Sequence, residues 1–162
     1  MADAETLTLI SGGAEPKEFK ISKAAAQLIQ QIEHLRAITQ DATEIPVDTI
    51  QAYDLAPIVE YCEYHGKVNN DSKAATEADI MKFDEAFITR VTKSDRQHIR
   101  LIAAADSLVI PSLLQLLMRA MVAKLHNKDR AAIREQWGIA ADLTEDEEKE
   151  VMESTSWLRP PQ

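Results

Sequence analysis

The stretch from Pro111 to His126 restricts what this chain can fold into more than any other. It reads as one helix with proline at its first position, where the missing N–H costs nothing, and it carries Leu113, Leu114, Leu116, Leu117, Met118, Met121, Val122 and Leu125. That is more apolar surface than a single helix face in a small domain can hide. Part of the helix must therefore enter a core, and part must meet something else. The 162 residues, 45% of them hydrophobic, suffice for one compact domain, or a small domain with an appended helical piece.

Upstream, Leu7 and Leu9 alternate with Thr6 and Thr8, Ser11-Gly12-Gly13 turns the chain, and Phe19 and Ile21 alternate with lysines. This predicts a hairpin. Ser22 is placed to cap a helix whose apolar positions Leu28, Ile29, Ile32, Leu35 and Ile38 recur at helical spacing. A short strand is expected over 43–47. Asp54 would cap the next helix, putting Pro57 in its first turn and its end at Gly66. Residues 67–79 are polar and lack apolar periodicity, which predicts a mobile loop. A short helix with Phe83, Phe87 and Ile88 follows, then a longer one, capped by Ser94 or Asp95, with Ile99, Ile102, Ala103 and Leu108. Beyond His126, Asp129 can cap a helix ending at Trp137-Gly138, and Thr144 with Glu147 forms a capping box at the head of an acidic helix. Pro160-Pro161 would end any helix after Trp157.

Charge and composition exclude several functions. With 27 acidic against 18 basic residues and a net charge of -9, the chain lacks the concentrated Lys and Arg that nucleic acid or an anionic membrane requires, and neither is expected as a partner. The single cysteine, Cys62, cannot form an internal disulfide, and the N-terminal residues are acidic where a secretory signal would be basic. Cytoplasm and nucleus are the expected location. The histidines 34, 65, 98 and 126 fall on different predicted elements. Cys62 and His65 have zinc-like spacing but no second pair. There is no phosphate loop or nucleophile elbow, and the carboxylates from Asp142 to Glu153 spread around a helix instead of converging. No catalytic residue, metal or cofactor is expected.

The order strand, strand, helix, strand, helix, polar loop, helices resembles a BTB/POZ domain, and the whole chain resembles the S-phase kinase-associated protein family. The residues that carry this are Leu101 to Ile110 with Leu113-Leu114, similar to the family's "LILAANYLDI" and "GLL" segments. Ala132-Ile133-Arg134, Trp137-Gly138-Ile139, Asp142-Leu143-Thr144-Glu145 and Trp157 follow in unbroken register. Tyr61-Cys62 stands where the family has Trp-Cys, and Phe83 to Ile88 is similar to its "WDQEFL". The resemblance implies an α+β fold, with a BTB/POZ-like domain over 1–110 and a helical F-box-binding extension over 111–162.

It also implies a function: a non-catalytic adaptor of an SCF (cullin-RING) ubiquitin ligase, bridging F-box proteins to the cullin in protein degradation. By motif position Leu114, Met121, Leu125, Ile133, Trp137, Ile139 and Trp157 would line the F-box groove. An apolar groove replaces water around the exposed leucines of a helical partner. An uncovered groove would also favour a homodimer of the free protein. The cullin would face Asp106-Ser107, where the family has Asn-Tyr. That departure defines the alternative, an F-box-binding scaffold or chaperone without a cullin. Arg90, Lys93, Arg96 and Arg100 add positive charge in the same region, the family's acidic loop is reduced to residues 39–43, and Arg130 replaces a family proline. An elongin C type of adaptor is disfavoured, since that family lacks the helices bearing Trp137 and Trp157.

Overall fold

A computed structural model describes residues 6–38, 43–71, 73–126, 128–140 and 143–158. The expectations for Asp142, for residues 39–42 and for Pro160-Pro161 lie outside them, as do the side chains of Leu35 and Ile38. The chain is α+β and mostly helical, with one three-stranded sheet among the described residues. Two compact units divide it, Met1–Lys124 and Leu125–Gln162. No helix of the described residues is long and apolar enough to cross a membrane.

In the first unit, β1 (Thr6–Gly12) pairs antiparallel with β2 (Glu18–Ser22) and parallel with β3 (Glu44–Gln51), giving the order β2-β1-β3. The alternation read from the sequence is an alternation of burial: Leu7 and Leu9 are buried, Thr6 is exposed. The third strand runs to Gln51, further than expected, and accommodates Pro46 because it lies at the sheet edge.

Ser22 caps a helix, accepting a hydrogen bond from the Ala25 amide at 3.2 Å, but α1 (Lys23–Ala26) ends after one turn. The single helix expected here is two, the second being α2 (Gln30–Ile38). The break is possible because the freed amides find distant acceptors: Gln30 donates to the Val109 carbonyl at 3.2 Å and Gln31 to that of Leu108 at 3.3 Å. Ile29 and Ile32 then point into the core, fully buried.

The helix predicted to stop at Gly66 instead runs through it: α3 spans Ala52–Asn70, with Gln51 as N-cap, Asp54 in the first turn and Pro57 inside. Gly66 is buried against the α1 backbone, so it serves close approach here and not termination. The helix α4 (Glu77–Val91) opens on a Thr76/Asp79 capping box, leaving the polar segment between helices only at 71–76. Ser94 caps α5 (Asp95–Ser107), though without a side-chain bond, and α6 (Pro111–Leu125) follows. Leu101, Ala105, Leu108, Ile110, Leu113 and Leu117 join Leu55, Ile58 and the sheet residues in one core. Buried His98 ties α5 to α6 through a 2.9 Å contact between Nε2 and the Leu117 carbonyl.

In the second unit α7 (Arg130–Trp137) is capped by Asp129, whose carboxylate accepts from the Ala132 amide at 2.7 Å, and closed by Gly138 at φ 61°. The acidic helix α8 (Glu145–Ser154) starts at the Thr144/Glu147 capping box and is followed by a 3-10 turn, Ser156–Leu158. Arg134 bonds Glu148, and the sulfur of Met152 accepts from Arg130 at 2.9 Å. Charge pairing thus supplies much of what holds α7 to α8, since neither helix has a fully buried residue.

Candidate functional site

Among the described residues the nucleophilic and metal-ligating side chains are dispersed. Cys62 is fully buried, and desolvation pushes its thiol up to about 12, so it is a protonated core residue. Tyr61 is pushed up to about 12 as well, by burial. His65 turns away from Cys62's role in any metal pair: its Nε2 meets Asp84 Oδ1 at 2.8 Å, and its ring lies against Tyr61 at 4.2 Å. Among the described residues no group of three His, Cys, Asp or Glu side chains could hold a metal ion.

The acidic helix divides into carboxylates with structural partners and carboxylates in solvent. Hydrogen bonds from Thr144 hold Glu147 below the usual carboxylate range, and Arg134 does the same for Glu148. Glu145, Asp146, Glu150 and Glu153 are exposed. This is a solvated face able to meet a basic rim, not a converging acid/base pair.

The apolar candidates sort by unit. In the first, Leu114 is half-buried against the core and Met121 is 8% exposed, both on α6. On the same helix Met118 at 45% and Val122 at 62% open to solvent. The sequence reading did not single these two out, although the apolar excess of the helix was their signal. In the second unit, Leu125, Ile133 and Trp137 are half-buried, the latter two one turn apart on α7, while Ile139 is 54% and Trp157 77% exposed. The Trp137 indole Nε1 is buried with no hydrogen-bond partner among the described residues.

Val151, Met152 and Leu158 add exposed apolar surface near Trp157 in the chain. Sequence reasoning missed them because α8 reads as uniformly acidic; the Val151-Met152 pair is its one apolar interruption. With Arg130, Arg134 and Thr155 this pair borders an open cavity of about 600 Å³. At the other candidate surface, Asp106 and Ser107 both lie exposed at the C-terminal end of α5. Around Trp157 the exposed side chains are mainly apolar, whereas Asp106 and Ser107 offer a polar helix end.

Comparison with known proteins bears on the same residues. Residues 111–158 match the model of the Skp1 family, dimerisation domain. SKP1-like protein 20 of Oryza sativa subsp. japonica is 27% identical over 170 residues, covering 96% of this chain and 97% of that protein. SKP1-like protein 14 of Arabidopsis thaliana is 25% identical over 151 residues, covering 92% and 95%. SKP1-like protein 4 of the same plant is 28% identical over 167 residues, covering 97% and 98%.

Proposed function

We infer, from the premise that this chain belongs with the Skp1 family as a divergent member, that it is the adaptor subunit of an SCF (cullin-RING) ubiquitin ligase. It joins F-box substrate receptors to the cullin and has no reaction of its own. Residues 1–110 are read as the BTB/POZ-like part, and residues 111–162 as the F-box-binding extension. Cytoplasm and nucleus are where such an adaptor works.

The observation that carries this reading is Trp157, 77% exposed at the end of the matched stretch. A tryptophan left in water forgoes the burial of a large apolar side chain, and aromatic anchors of this kind dominate binding once a partner covers them. Ile139 in the second unit, and separately Met118 and Val122 of α6 in the first, are also uncovered apolar side chains. A helical F-box segment with exposed leucines is the matching occupant. When no F-box protein is present, a second copy of the chain would cover that surface instead. Asp106 and Ser107 close α5, whereas the residues proposed for the F-box lie on α6 and beyond, so the two proposed partners are offered different residues of the chain.

The test is affinity capture with an F-box segment and a cullin N-terminal domain, separately and together, comparing wild type with Trp157→Ala and Trp137→Ala/Trp157→Ala. Loss of an interface tryptophan should cost about 2 kcal/mol or more, roughly thirtyfold in F-box affinity. Because Trp157 is exposed, its replacement leaves the fold in place. Capture of both partners with this loss supports the adaptor; F-box capture alone makes the chain a cullin-free scaffold; capture of neither refutes the reading.

A further inference from the structure

Asp54 is 4% exposed in the first turn of α3, where the helix dipole favours a carboxylate. Its partner is Arg100 of α5, whose Nε donates to Asp54 Oδ2 at 3.0 Å and Oδ1 at 3.4 Å. The same guanidinium lies over the ring of Tyr53, its central carbon 5.0 Å from the ring centroid. One donor and one face of Arg100 are thus occupied. The two Nη groups have no partner among the described residues, and the side chain is 39% exposed.

An arginine held at Nε and across one face cannot swing freely, so its outer edge is set in advance for a second planar acceptor. Arg100 and Asp54 together line a cavity of about 270 Å³ with Thr49, Gln51, Ala103 and Ser107. Arg96, Arg100, Ala103 and Ser107 recur at helical spacing along one face of α5, two cations followed by two small residues. Arg96 and Ala103 are exposed. Small side chains let a partner approach closely, while Arg96 offsets the charge that Asp54 removes from Arg100. Asp106 has the opposite sign, so an incoming carboxylate is favoured beside Arg96 and Arg100 and disfavoured at the very end of the helix.

We propose that the Arg100 edge, positioned by Asp54 and Tyr53, is a docking site for an aspartate or glutamate side chain of the cullin N-terminal domain. The identity of the partner rests on the adaptor reading, which proposes Asp106 and Ser107 as facing the cullin; Ser107 also lines this cavity. The carboxylate chemistry rests on Arg100 itself. Asp54 and Tyr53 are positioning residues: they touch Arg100, not the partner's carboxylate.

The experiment measures binding of the cullin N-terminal domain to the full chain carrying an F-box segment, at low and high salt. Arg100→Gln should weaken binding roughly 10- to 100-fold and lower its salt dependence, and Arg100→Lys should fail to restore it, because a lysine has no planar edge. Arg100→Gln leaves Asp54 buried and unpaired, so Asp54→Asn/Arg100→Gln is the companion that removes both charges and must show the same loss while unfolding at a temperature close to wild type. Replacing the partner's carboxylates one at a time should find one whose loss is no longer felt once Arg100 is gone. A folded companion variant that binds the cullin as wild type does, with the same salt dependence, overturns the site and leaves the adaptor reading intact. A wild type that captures the F-box segment but no cullin overturns both the site and the cullin half of that reading.

Discussion

Replacing Gly66 by alanine tests how α3 is seated on α1. A Cβ built at this helical position would stand 2.7 Å from the Ala25 amide nitrogen, and 2.8 and 2.9 Å from the Ala24 carbonyl carbon and oxygen. All three are backbone atoms, so no side chain can turn aside. The helices would have to part by roughly half an ångström to regain ordinary contact, which close-packed interiors resist. Two effects oppose each other. Alanine favours the helix over glycine by about 1 kcal/mol, while forcing an extra methyl into a packed contact costs about 1–3 kcal/mol. Separation would also strain the Ser22–Glu63 link, where Glu63 accepts from the Ser22 amide at 2.5 Å and its hydroxyl at 3.0 Å, adding about 1 kcal/mol. The net expectation is destabilisation by about 1–3 kcal/mol, with a fall in melting temperature of about 4 °C per kcal/mol.

Thermal and urea unfolding followed by far-UV circular dichroism measures this, provided the urea slope is unchanged. Gly138→Ala is the contrast: Gly138 sits at φ 61° with nothing within 4 Å of a built Cβ. It should therefore pay only the left-handed backbone cost of about 1 kcal/mol, confined to the end of α7. A Gly66→Ala protein as stable as wild type would refute the reasoning, because helix propensity would then outweigh a contact that α1 does not in fact enforce.

Two further outcomes follow from buried titratable groups. Desolvation holds His98 below its ordinary 6.5, with Lys124 acting in the same direction, and the Leu117 carbonyl and Asp95 acting against them. The unfolded chain therefore takes up the proton first, and stability contributed by neutral His98 is present above pH 6.5 and lost as the pH falls towards its depressed value. Urea midpoints should drop as the pH is lowered through 6.5 in wild type and drop less in His98→Gln; identical profiles would remove His98 as the cause. Cys62, pushed from 9.0 to about 12, should carry about a thousandfold less thiolate than an exposed cysteine. A maleimide or disulfide reagent should leave it unmodified in the native protein and label it rapidly in urea, and rapid native labelling would contradict its burial.

What was legible in the sequence was local. Ser22, Asp129 and Thr144 act as caps because a short polar side chain reaches an amide two or three residues on, and that signal is written within one turn. Gly138 closes α7 for the same kind of reason. What was not legible depends on partners far away in the chain. The break between α1 and α2 is stabilised by carbonyls of Leu108 and Val109, which no window around Gln30 contains. Gly66 looked like a helix stop, and its real constraint is the backbone of Ala24 and Ala25. Among the candidate binding residues, the exposure of Trp157 follows from its place outside any amphipathic repeat, whereas Met121 and Met118 differ only in which side of α6 the core takes.

Asp54 and Arg100 show the limit most clearly and bear on the function. Read alone, Asp54 looks like a helix cap and Arg100 like one of several surface cations, because 46 residues separate them. Paired, they convert a flexible cation into a fixed one beside an exposed tyrosine, Tyr53, and beside Ser107. The resemblance puts an aromatic residue at the position of Ser107, and losing such an anchor would cost on the order of 2 kcal/mol of partner affinity. A tyrosine and an oriented guanidinium offered from α3 and α5 supply the two kinds of contact most enriched at interface hot spots, aromatic area and planar donors. On the adaptor reading, then, the Asp54–Arg100–Tyr53 cluster offers contact energy in the notch beside the end of α5, where Asp106-Ser107 supplies no aromatic anchor.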